Sequence, residues 1–472
     1  MGKTLDATTK GKVHHAEVVH HGEALVLPEN MSPQQAVTRL LDFINFQEQK
    51  INVQRSYGRF PWDGAYALYN VLVRRFGTAM MNPQRGPFGE KPPQMIEVEI
   101  DLGKFVSVPW GEFQLTVLDG GVITCGFDAG QFVLQATVRR KDEAYVRDLF
   151  DEVEAELKAH SIYLGKAVRL VFEEDEELPK ISFVDVRDGD INRMIYSRDV
   201  EGAIHTNLFT PIERIDDCLE NDISVKRGVL LAGPYGTGKT MAAKAAANLA
   251  VANDVTFVYA DAAADFAKVF QFAKTYCDRM AVVFCEDIDR VTAGARSAEV
   301  DEVLNIMDGV DSKNFNIMTV LTTNALDRIT PAMQRPGRLD AIIDVTPPDA
   351  EAAERLVRAY GGSLIEEDAD LSDVGEELAG YVPAVIAEVV KRAKLSQLRR
   401  IDRGEKLTFI GSEALLEALV TIRPQAERLK DAVDPHDVPT VDSTLSGVID
   451  ARVATAVKPM RKALDRLEEG LL

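Results

Sequence analysis

The sequence is poor in cysteine, in basic residues and in long apolar runs. Its four cysteines (Cys125, Cys218, Cys277 and Cys285) lie far apart without a C-x-x-C pair, which argues against a disulfide framework or a zinc site and fits a reducing compartment. Lys and Arg number 54 against 75 Asp and Glu, and the net charge of −21 disfavours general binding to nucleic-acid backbones. Because signal-peptide order and runs of about 18 apolar residues are also lacking, we expect a cytoplasmic protein without a membrane span.

The first half of the chain predicts an α+β domain behind a polar tail. Residues 1–30 hold two histidine pairs (His14 and His15, His20 and His21), for which a metal site is conceivable but a disordered tail is favoured. Residues 31–180 combine helical periodicity with alternating strand patterns between 94 and 139, including Phe113, Leu115 and Val117 before an Asp-Gly-Gly hairpin signal. We expect this domain to recognise a substrate or partner. The predicted helices run from Pro33 to about Lys50, from Asp63 to Phe76 and from Glu143 to His160.

Strands and helices alternate from residue 228 onwards, which predicts a parallel α/β sheet. Short apolar runs typical of buried central strands occupy residues 229–232, 281–285 and 317–322. We therefore assign residues 181–345 to an α/β domain and residues 346–422 to an all-helical domain. In residues 423–472 we expect a break between Pro424 and Pro439, and then a last amphipathic helix at about 448–469.

A phosphate-binding pattern follows the first of these strands. Residues 233–240 match G-x-x-x-x-G-K-[ST] between an apolar strand and an alanine-rich helix. The glycines let successive N–H groups face one anion, Lys239 supplies positive charge to the β- and γ-phosphates, and the Thr240 hydroxyl is placed to ligate Mg²⁺. The pattern predicts ATP and Mg²⁺ as cofactors. The predicted nucleotide-binding residues are Gly233, Pro234, Tyr235, Gly236, Thr237, Gly238, Lys239, Thr240 and Met241.

Polar side chains follow the next two strands. Glu286 and Asp287 come directly after the apolar run at 281–285, where a metal and an attacking water are needed beside a phosphate loop. We assign Glu286 to orienting Mg²⁺ and Asp287 to polarising the water. Asn324 ends the following strand and is expected to bond the water or the γ-phosphate.

Two arginines lie on a Pro-Gly turn after Asn324. Arg335 and Arg338 belong to an Arg-Pro-Gly-Arg segment, which is a rigid platform for directing guanidinium groups at a phosphate. Such arginines stabilise the charge that builds up in phosphoryl transfer, an effect of roughly 10³–10⁵ in rate.

Together with residues 225–231, these motifs resemble the AAA ATPases over about residues 205–400. The resemblance implies a P-loop AAA+ module, made of a parallel sheet with helices and a small all-α lid, with ATP between the two parts. It also implies a homo-oligomeric ring, usually hexameric, in which Arg335 and Arg338 reach the ATP of the neighbouring subunit. The family's usual acidic order is Asp then Glu, whereas here Glu286 comes first. This order and residues 304–310 are most similar to the branch that contains the mitochondrial translocase of the Rieske protein.

Two segments depart from the family's pattern. The family's aromatic pore loop would fall in the short interval 261–279, near Tyr259, Phe266, Phe270 and Phe272. For Phe270 we favour core packing, which leaves substrate threading open. In the helical domain, Gly380 to Ala384 replace the family's Gly-Ala; Pro383 is expected in the first turn of a helix, with Ala384 approaching the nucleotide.

The function favoured by the sequence is a ring motor that hydrolyses ATP to remodel, unfold or disassemble a protein client. One alternative is a nucleic-acid-directed AAA+ loader or initiator, which the acidic composition and the lack of a DNA-binding helix pair disfavour. Another is a nucleotide-controlled scaffold whose ring only assembles partners. A metalloprotease is not expected, because the H-E-x-x-H motif is lacking.

Overall fold

The structure is a computed structural model that divides into two compact units. One comprises Met1–Ile191, Ala203–Ala232 and Lys239–Ile343, and the other Asn192–Gly202, Gly233–Gly238 and Asp344–Leu472. The predictions for the C-terminal helix and for most of the tail lie outside the described residues. The described residues are 20–21, 24–25, 31–77, 84–86, 89–92, 94–173, 178–187, 189–260, 266–288, 315–326, 329, 335, 337–400, 406–407 and 409–431.

The N-terminal part of the first unit is an antiparallel sheet with helices. Its five strands lie in the order β3-β9-β8-β7-β6, while β1 pairs with β2 and β4 with β5. The elements are β1 (His20–His21), β2 (Ala24–Leu25), α1 (Pro33–Glu48), β3 (Lys50–Ser56), α2 (Pro61–Phe76), β4 (Gln84–Gly86), β5 (Gly89–Lys91), β6 (Gln94–Asp101), β7 (Lys104–Phe113), β8 (Val122–Asp128), β9 (Gln131–Arg139) and α3 (Glu143–Ala159).

Alternating burial along β9 explains how this sheet gains one apolar face. Every second residue from Phe132 to Val138 is buried, and α2 and α3 pack against the sheet with apolar stripes of their own. The three predicted helices of this part are confirmed. The prediction that Leu115 and Val117 extend a strand is wrong, because β7 ends at Phe113. Beyond it the chain forms a turn, in which the N–H of Leu118 donates to the carbonyl of Leu115.

The rest of the first unit is built on a seven-stranded sheet in the order β11-β10-β13-β14-β15-β12-β16. The strands from β10 to β12 in this order run parallel. All residues of β12, β14 and β15 are buried, which confirms the predicted central strands. The elements are β10 (Ala167–Val171), β11 (Lys180–Phe183), α4 (Arg198–Ile204), α5 (Thr210–Glu213), α6 (Ile215–Glu220), β12 (Gly228–Ala232), α7 (Lys239–Ala252), β13 (Thr256–Ala260), α8 (Phe266–Thr275), β14 (Ala281–Cys285), β15 (Ile317–Thr323) and β16 (Ala341–Asp344). Helix α4 begins in the second unit, to which its residues 198–202 belong.

The sheet begins before the boundary that the sequence predicts at residue 180. Strand β10 pairs in parallel with β13, Ala167 opposite Phe257 and Leu170 opposite Ala260. Residues 167–171 therefore belong to the α/β sheet and not to the N-terminal domain. Their apolar pattern fits a strand of either sheet, and only the backbone pairing assigns it.

Aromatic residues join the N-terminal domain to the parallel sheet within this unit. The hydroxyl of Tyr276 accepts a hydrogen bond of 2.9 Å from the N–H of Phe60, and Arg59 donates to the carbonyl of Thr275 at 2.8 Å. The rings of Tyr163 and Phe272 meet edge to face with their centroids 5.7 Å apart. The two sheets thus share one apolar core.

The second unit contains a small helical bundle with its own core. Its helices are α9 (Ala350–Gly361), α10 (Ser372–Leu378), α11 (Pro383–Arg400) and α12 (Ser412–Asp431). The expected break between Pro424 and Pro439 is wrong up to Asp431, because α12 continues through Pro424. Residues 432–439 lie outside the described residues. Leu415, Leu419 and Ile422 are buried at helical spacing, and this packing outweighs the local cost of proline. Among the described helices, none combines the length and the apolar content that crossing a bilayer requires.

Candidate active site

Three glycines shape the loop between β12 and α7. Gly233, Gly236 and Gly238 have φ angles of 151°, 79° and 103°, a region that residues with a Cβ rarely adopt. A Cβ on Gly233 would also lie 2.3 Å from the carbonyl oxygen of Val345. The hydroxyl of Thr237 donates to the carbonyl of Pro234 at 2.9 Å. The loop therefore has the tightly turned backbone that a phosphate cradle requires.

Tyr196 holds the end of this loop and was missed by sequence reasoning. Its hydroxyl donates to the carbonyl of Gly238 at 2.8 Å, and its ring lies 3.1 Å from where a Cβ on that glycine would be. Burial raises the pKa of Tyr196, so the phenol stays protonated as a donor. Because no spacing rule links a tyrosine to a loop 42 residues further along the chain, no motif could have identified it.

Lys239 is the first residue of α7 and only 7% exposed. Its amine donates to the side-chain oxygen of Asn324 at 2.8 Å. The amide nitrogen of Asn324 donates in turn to Asp287 at 2.8 Å. The ends of β14 and β15 thus bring an ammonium, an amide and a carboxylate into one chain of hydrogen bonds, at the edge of a parallel sheet where ligands bind.

The backbone of Asp287 adopts a left-handed conformation with a φ of 52°. Its N–H donates to the hydroxyl of Thr322 at 3.0 Å, and the N–H of Ile288 donates to the carbonyl of the same threonine at 2.9 Å. Strained backbone of this kind costs about 1–3 kcal/mol and clusters at functional sites. Two bonds to Thr322 maintain the turn that directs the Asp287 carboxylate to Asn324.

Glu286 is bound on both carboxylate oxygens. One oxygen is hydrogen-bonded to the Thr240 hydroxyl, and the other accepts from the hydroxyl of Tyr259. The Thr240 hydroxyl and the Glu286 carboxylate are hard oxygen donors of the type that Mg²⁺ prefers. The donor set therefore fits the cation that the phosphate-loop pattern implies.

Arg335 and Arg338 lie on a separate turn before β16. The N–H of Arg338 donates to the carbonyl of Arg335 at 3.1 Å. Asp340 braces the turn, accepting from the N–H of Gly337 at 3.2 Å and from that of Gly228 in β12 at 3.0 Å. Arg335 is exposed and Arg338 half-buried. The turn is therefore tied to the strand that precedes the phosphate loop.

The structure thus joins Lys239, Asn324 and Asp287 in one set of contacts and Thr240 and Glu286 in another. Of the other predicted nucleotide-binding residues, Tyr235 and Met241 expose about half of their side chains, 52% and 48%. Phe270 is buried against Phe266, which confirms core packing, and Pro383 begins α11 as expected.

The chain is similar to known proteins over the segment that contains these residues. Residues 229–347 match the family model described as "ATPase family associated with various cellular activities (AAA)". A cell division cycle protein 48 homolog of Archaeoglobus fulgidus is 30% identical over 44% of this chain and 32% of its own length. A proteasome-activating nucleotidase of Methanococcus maripaludis is 30% identical over 56% of this chain and 65% of its own. An "AAA ATPase forming ring-shaped complexes" of Bifidobacterium animalis is 28% identical over 60% and 56%.

The chain spans less than two thirds of the length of these curated relatives, between 32 and 65%. The likeness therefore concerns a shared module and not whole proteins. These matches do not show the narrower resemblance to the Rieske-protein translocase branch, which stays a prediction.

Proposed function

Because residues 229–347 form an AAA ATPase domain, we propose that this chain hydrolyses ATP in order to remodel, unfold or disassemble a protein client. The observation that carries the proposal is the contact chain from Lys239 through Asn324 to Asp287. It supports the proposal because an ammonium, an amide and a carboxylate are joined by hydrogen bonds, and these are the groups needed to bind phosphate and to activate a water.

Each of these residues has a separate task in the proposed reaction. The loop amides and Lys239 bind the β- and γ-phosphates. Asp287 accepts a hydrogen bond from the attacking water and so increases its nucleophilicity. Asn324 keeps the Asp287 carboxylate in position and bonds the water or the γ-phosphate. The Tyr196 hydroxyl stabilises the loop through Gly238.

Mg²⁺ is the cation proposed for this site, held by the Thr240 hydroxyl with Glu286 orienting that hydroxyl. When bound, it would neutralise phosphate charge. The contact between the two side chains supports this assignment. When the Glu286 carboxylate accepts a hydrogen bond from the Thr240 hydroxyl, a lone pair of the hydroxyl oxygen is left to face a cation.

We further propose a homo-oligomeric, hexameric ring in which Arg335 and Arg338 of one subunit stabilise the γ-phosphate bound by the next. The exposed turn that carries Arg335 and the ring-forming relative support this arrangement. The client is a protein, recognised by the N-terminal α+β domain. The shared core of the two sheets supports direct mechanical linkage between that domain and the ATPase.

The proposal is tested by measuring phosphate release from Mg·ATP and the unfolding of a fluorescent test protein by the purified chain. Hydrolysis that a protein client stimulates is the expected result. Hydrolysis that no client changes, together with ATP-dependent assembly, would favour a scaffold. Absence of hydrolysis under saturating Mg·ATP, when Lys239→Ala behaves identically, would contradict the ATPase assignment.

A further inference from the structure

Tyr259 lies between Arg169 and Glu286, on a strand that carries none of the predicted site residues. Arg169 of β10 and Tyr259 of β13 are direct neighbours in the sheet register. The guanidinium carbon of Arg169 is 4.3 Å from the centre of the tyrosine ring, within the range of a cation–π interaction. The hydroxyl of Tyr259 donates to the Glu286 oxygen that does not contact Thr240.

Both ends of this contact chain restrict the Tyr259 ring. The strand pairing holds Arg169 beside the ring, where the guanidinium contacts it, and the Glu286 carboxylate accepts a hydrogen bond from the ring hydroxyl. Burial, followed by the bond to Glu286, raises the pKa of Tyr259. The phenol therefore remains a hydrogen-bond donor at any physiological pH.

A glutamate at this place needs such a partner more than an aspartate would. Its side chain has one more rotatable bond, so its carboxylate has more orientations to lose when it meets Thr240. A hydrogen bond to the second oxygen removes much of that freedom in advance. Hydrogen bonds to charged groups are also the stronger ones.

We propose that Tyr259, held by Arg169, is a positioning residue that orients Glu286 towards Thr240 and the bound cation. The inference rests on the proposed function, because it assumes that this pair serves Mg²⁺. It also accounts for the reversed order of the two acids, since Tyr259 restrains the longer side chain at the metal position.

The test is the Mg²⁺ dependence of nucleotide binding, followed with a fluorescent, slowly hydrolysed ATP analogue. For Tyr259→Phe we expect the half-saturating Mg²⁺ concentration to rise about tenfold, as is usual when a partner of a metal ligand is removed. Binding of the analogue in EDTA should not change, because Tyr259 acts only through Glu286. The matched control is Tyr66→Phe, the same chemical change on a half-buried ring of α2, which should leave both values unchanged.

A double-mutant cycle tests the mechanism directly. Glu286→Asp shortens the side chain and should by itself break the contact with Tyr259. Adding Tyr259→Phe to Glu286→Asp should then raise the half-saturating Mg²⁺ concentration little further. Arg169→Met, at an exposed side chain, should also raise the half-saturating Mg²⁺ concentration, but by less than Tyr259→Phe does. Fully additive effects of Tyr259→Phe and Glu286→Asp would show that the two residues act independently, and the inference would be wrong.

The outcomes separate this inference from the proposed function. If the wild-type chain binds the analogue equally well with and without Mg²⁺, the proposed metal site is wrong. If wild-type binding depends on Mg²⁺ and Tyr259→Phe leaves the midpoint unchanged, only the role of Tyr259 is wrong. A Tyr259→Phe variant that loses binding in EDTA as well would show a structural role and would also overturn the inference.

Discussion

Asn324 and Asp287 are joined by a hydrogen bond of 2.8 Å across the ends of two neighbouring strands. The same Asn324 side chain accepts a bond of equal length from Lys239. One amide therefore links the lysine of the phosphate loop to the carboxylate that we assign to the water. Changes at the amide and at the carboxylate should therefore both affect turnover more than binding.

Asp287→Asn should separate ATP binding from hydrolysis. The new amide oxygen can still accept from Asn324, so the loop and its affinity for ATP are expected to persist. The charge that polarises the water is lost, which should slow hydrolysis by about 10²–10⁴. Equilibrium binding of ATP and single-turnover phosphate release measure the two effects. Asp278→Asn, the same change at an exposed turn residue, is the control; normal hydrolysis by Asp287→Asn would refute the assignment.

Asn324→Ala should lower kcat more than it changes KM. The substitution leaves the Asp287 carboxylate and the Lys239 ammonium without their common partner. Loss of a hydrogen bond to a charged group corresponds to about 1.5–3 kcal/mol, or roughly 10–100-fold in rate if it is felt in the transition state. Steady-state kinetics over a range of ATP concentrations distinguish the two parameters. An increase in KM at constant kcat would instead indicate a role in ground-state binding only.

Mixing two inactive variants should restore hydrolysis if the arginines act between subunits. Lys239→Ala removes the phosphate contact, and the double variant Arg335→Ala/Arg338→Ala removes the guanidinium groups, so each protein alone should be about 10³-fold slower or worse. In a mixed ring, an intact loop of one variant can meet intact arginines of the other.

The measurement is phosphate release after the two variants are mixed and reassembled, with energy transfer between labelled subunits as a check on co-assembly. Co-assembled rings without recovered hydrolysis would mean that the arginines do not complete a neighbour's site.

Asp63→Asn should make the stability of the N-terminal domain less dependent on pH. Asp63 is 1% exposed and accepts from the Ser161 hydroxyl at 2.8 Å and the N–H of Ile162 at 2.9 Å. Burial outweighs these bonds and raises the pKa of the carboxyl from 3.8 to about 6. The raised pKa means that the folded state favours the protonated carboxyl. The contribution of Asp63 to the free energy of unfolding is therefore full below pH 3.8 and is lost as pH rises through about 6.

Asparagine has no ionisable proton; its oxygen can accept from the N–H of Ile162, and its amide nitrogen can donate to the Ser161 hydroxyl oxygen. The free energy of unfolding of Asp63→Asn minus that of the wild type should therefore grow as pH rises from 4 to 7, by on the order of 2 kcal/mol. Urea denaturation at several pH values measures it, with the exposed Asp128→Asn as control. A difference between Asp63→Asn and wild type that stays constant across this range would exclude Asp63 as the source.

The phosphate loop, the acidic strand end and the central strands could be predicted because each depends on local order along the chain. A lysine directly before a threonine predicts a phosphate loop, and an apolar run before two acids predicts an acidic strand end, because both depend on residues that are neighbours in the chain. Helices were also predicted where apolar periodicity or a first-turn proline marks them. Pro424 was misjudged because the buried residues that precede it in α12, Leu415, Leu419 and Ile422, outweighed a local rule.

The sequence by itself determined which residues can bind phosphate, a cation and a water, since these tasks require particular functional groups at fixed spacing. Only the tertiary structure decided which side chains surround them. Tyr259 reaches Glu286, and Tyr196 reaches Gly238, from segments distant in the chain. Strand pairing brings Arg169 to Tyr259. The sequence also could not assign β10 to the α/β sheet, because the order of the residues does not show which strands pair through backbone hydrogen bonds.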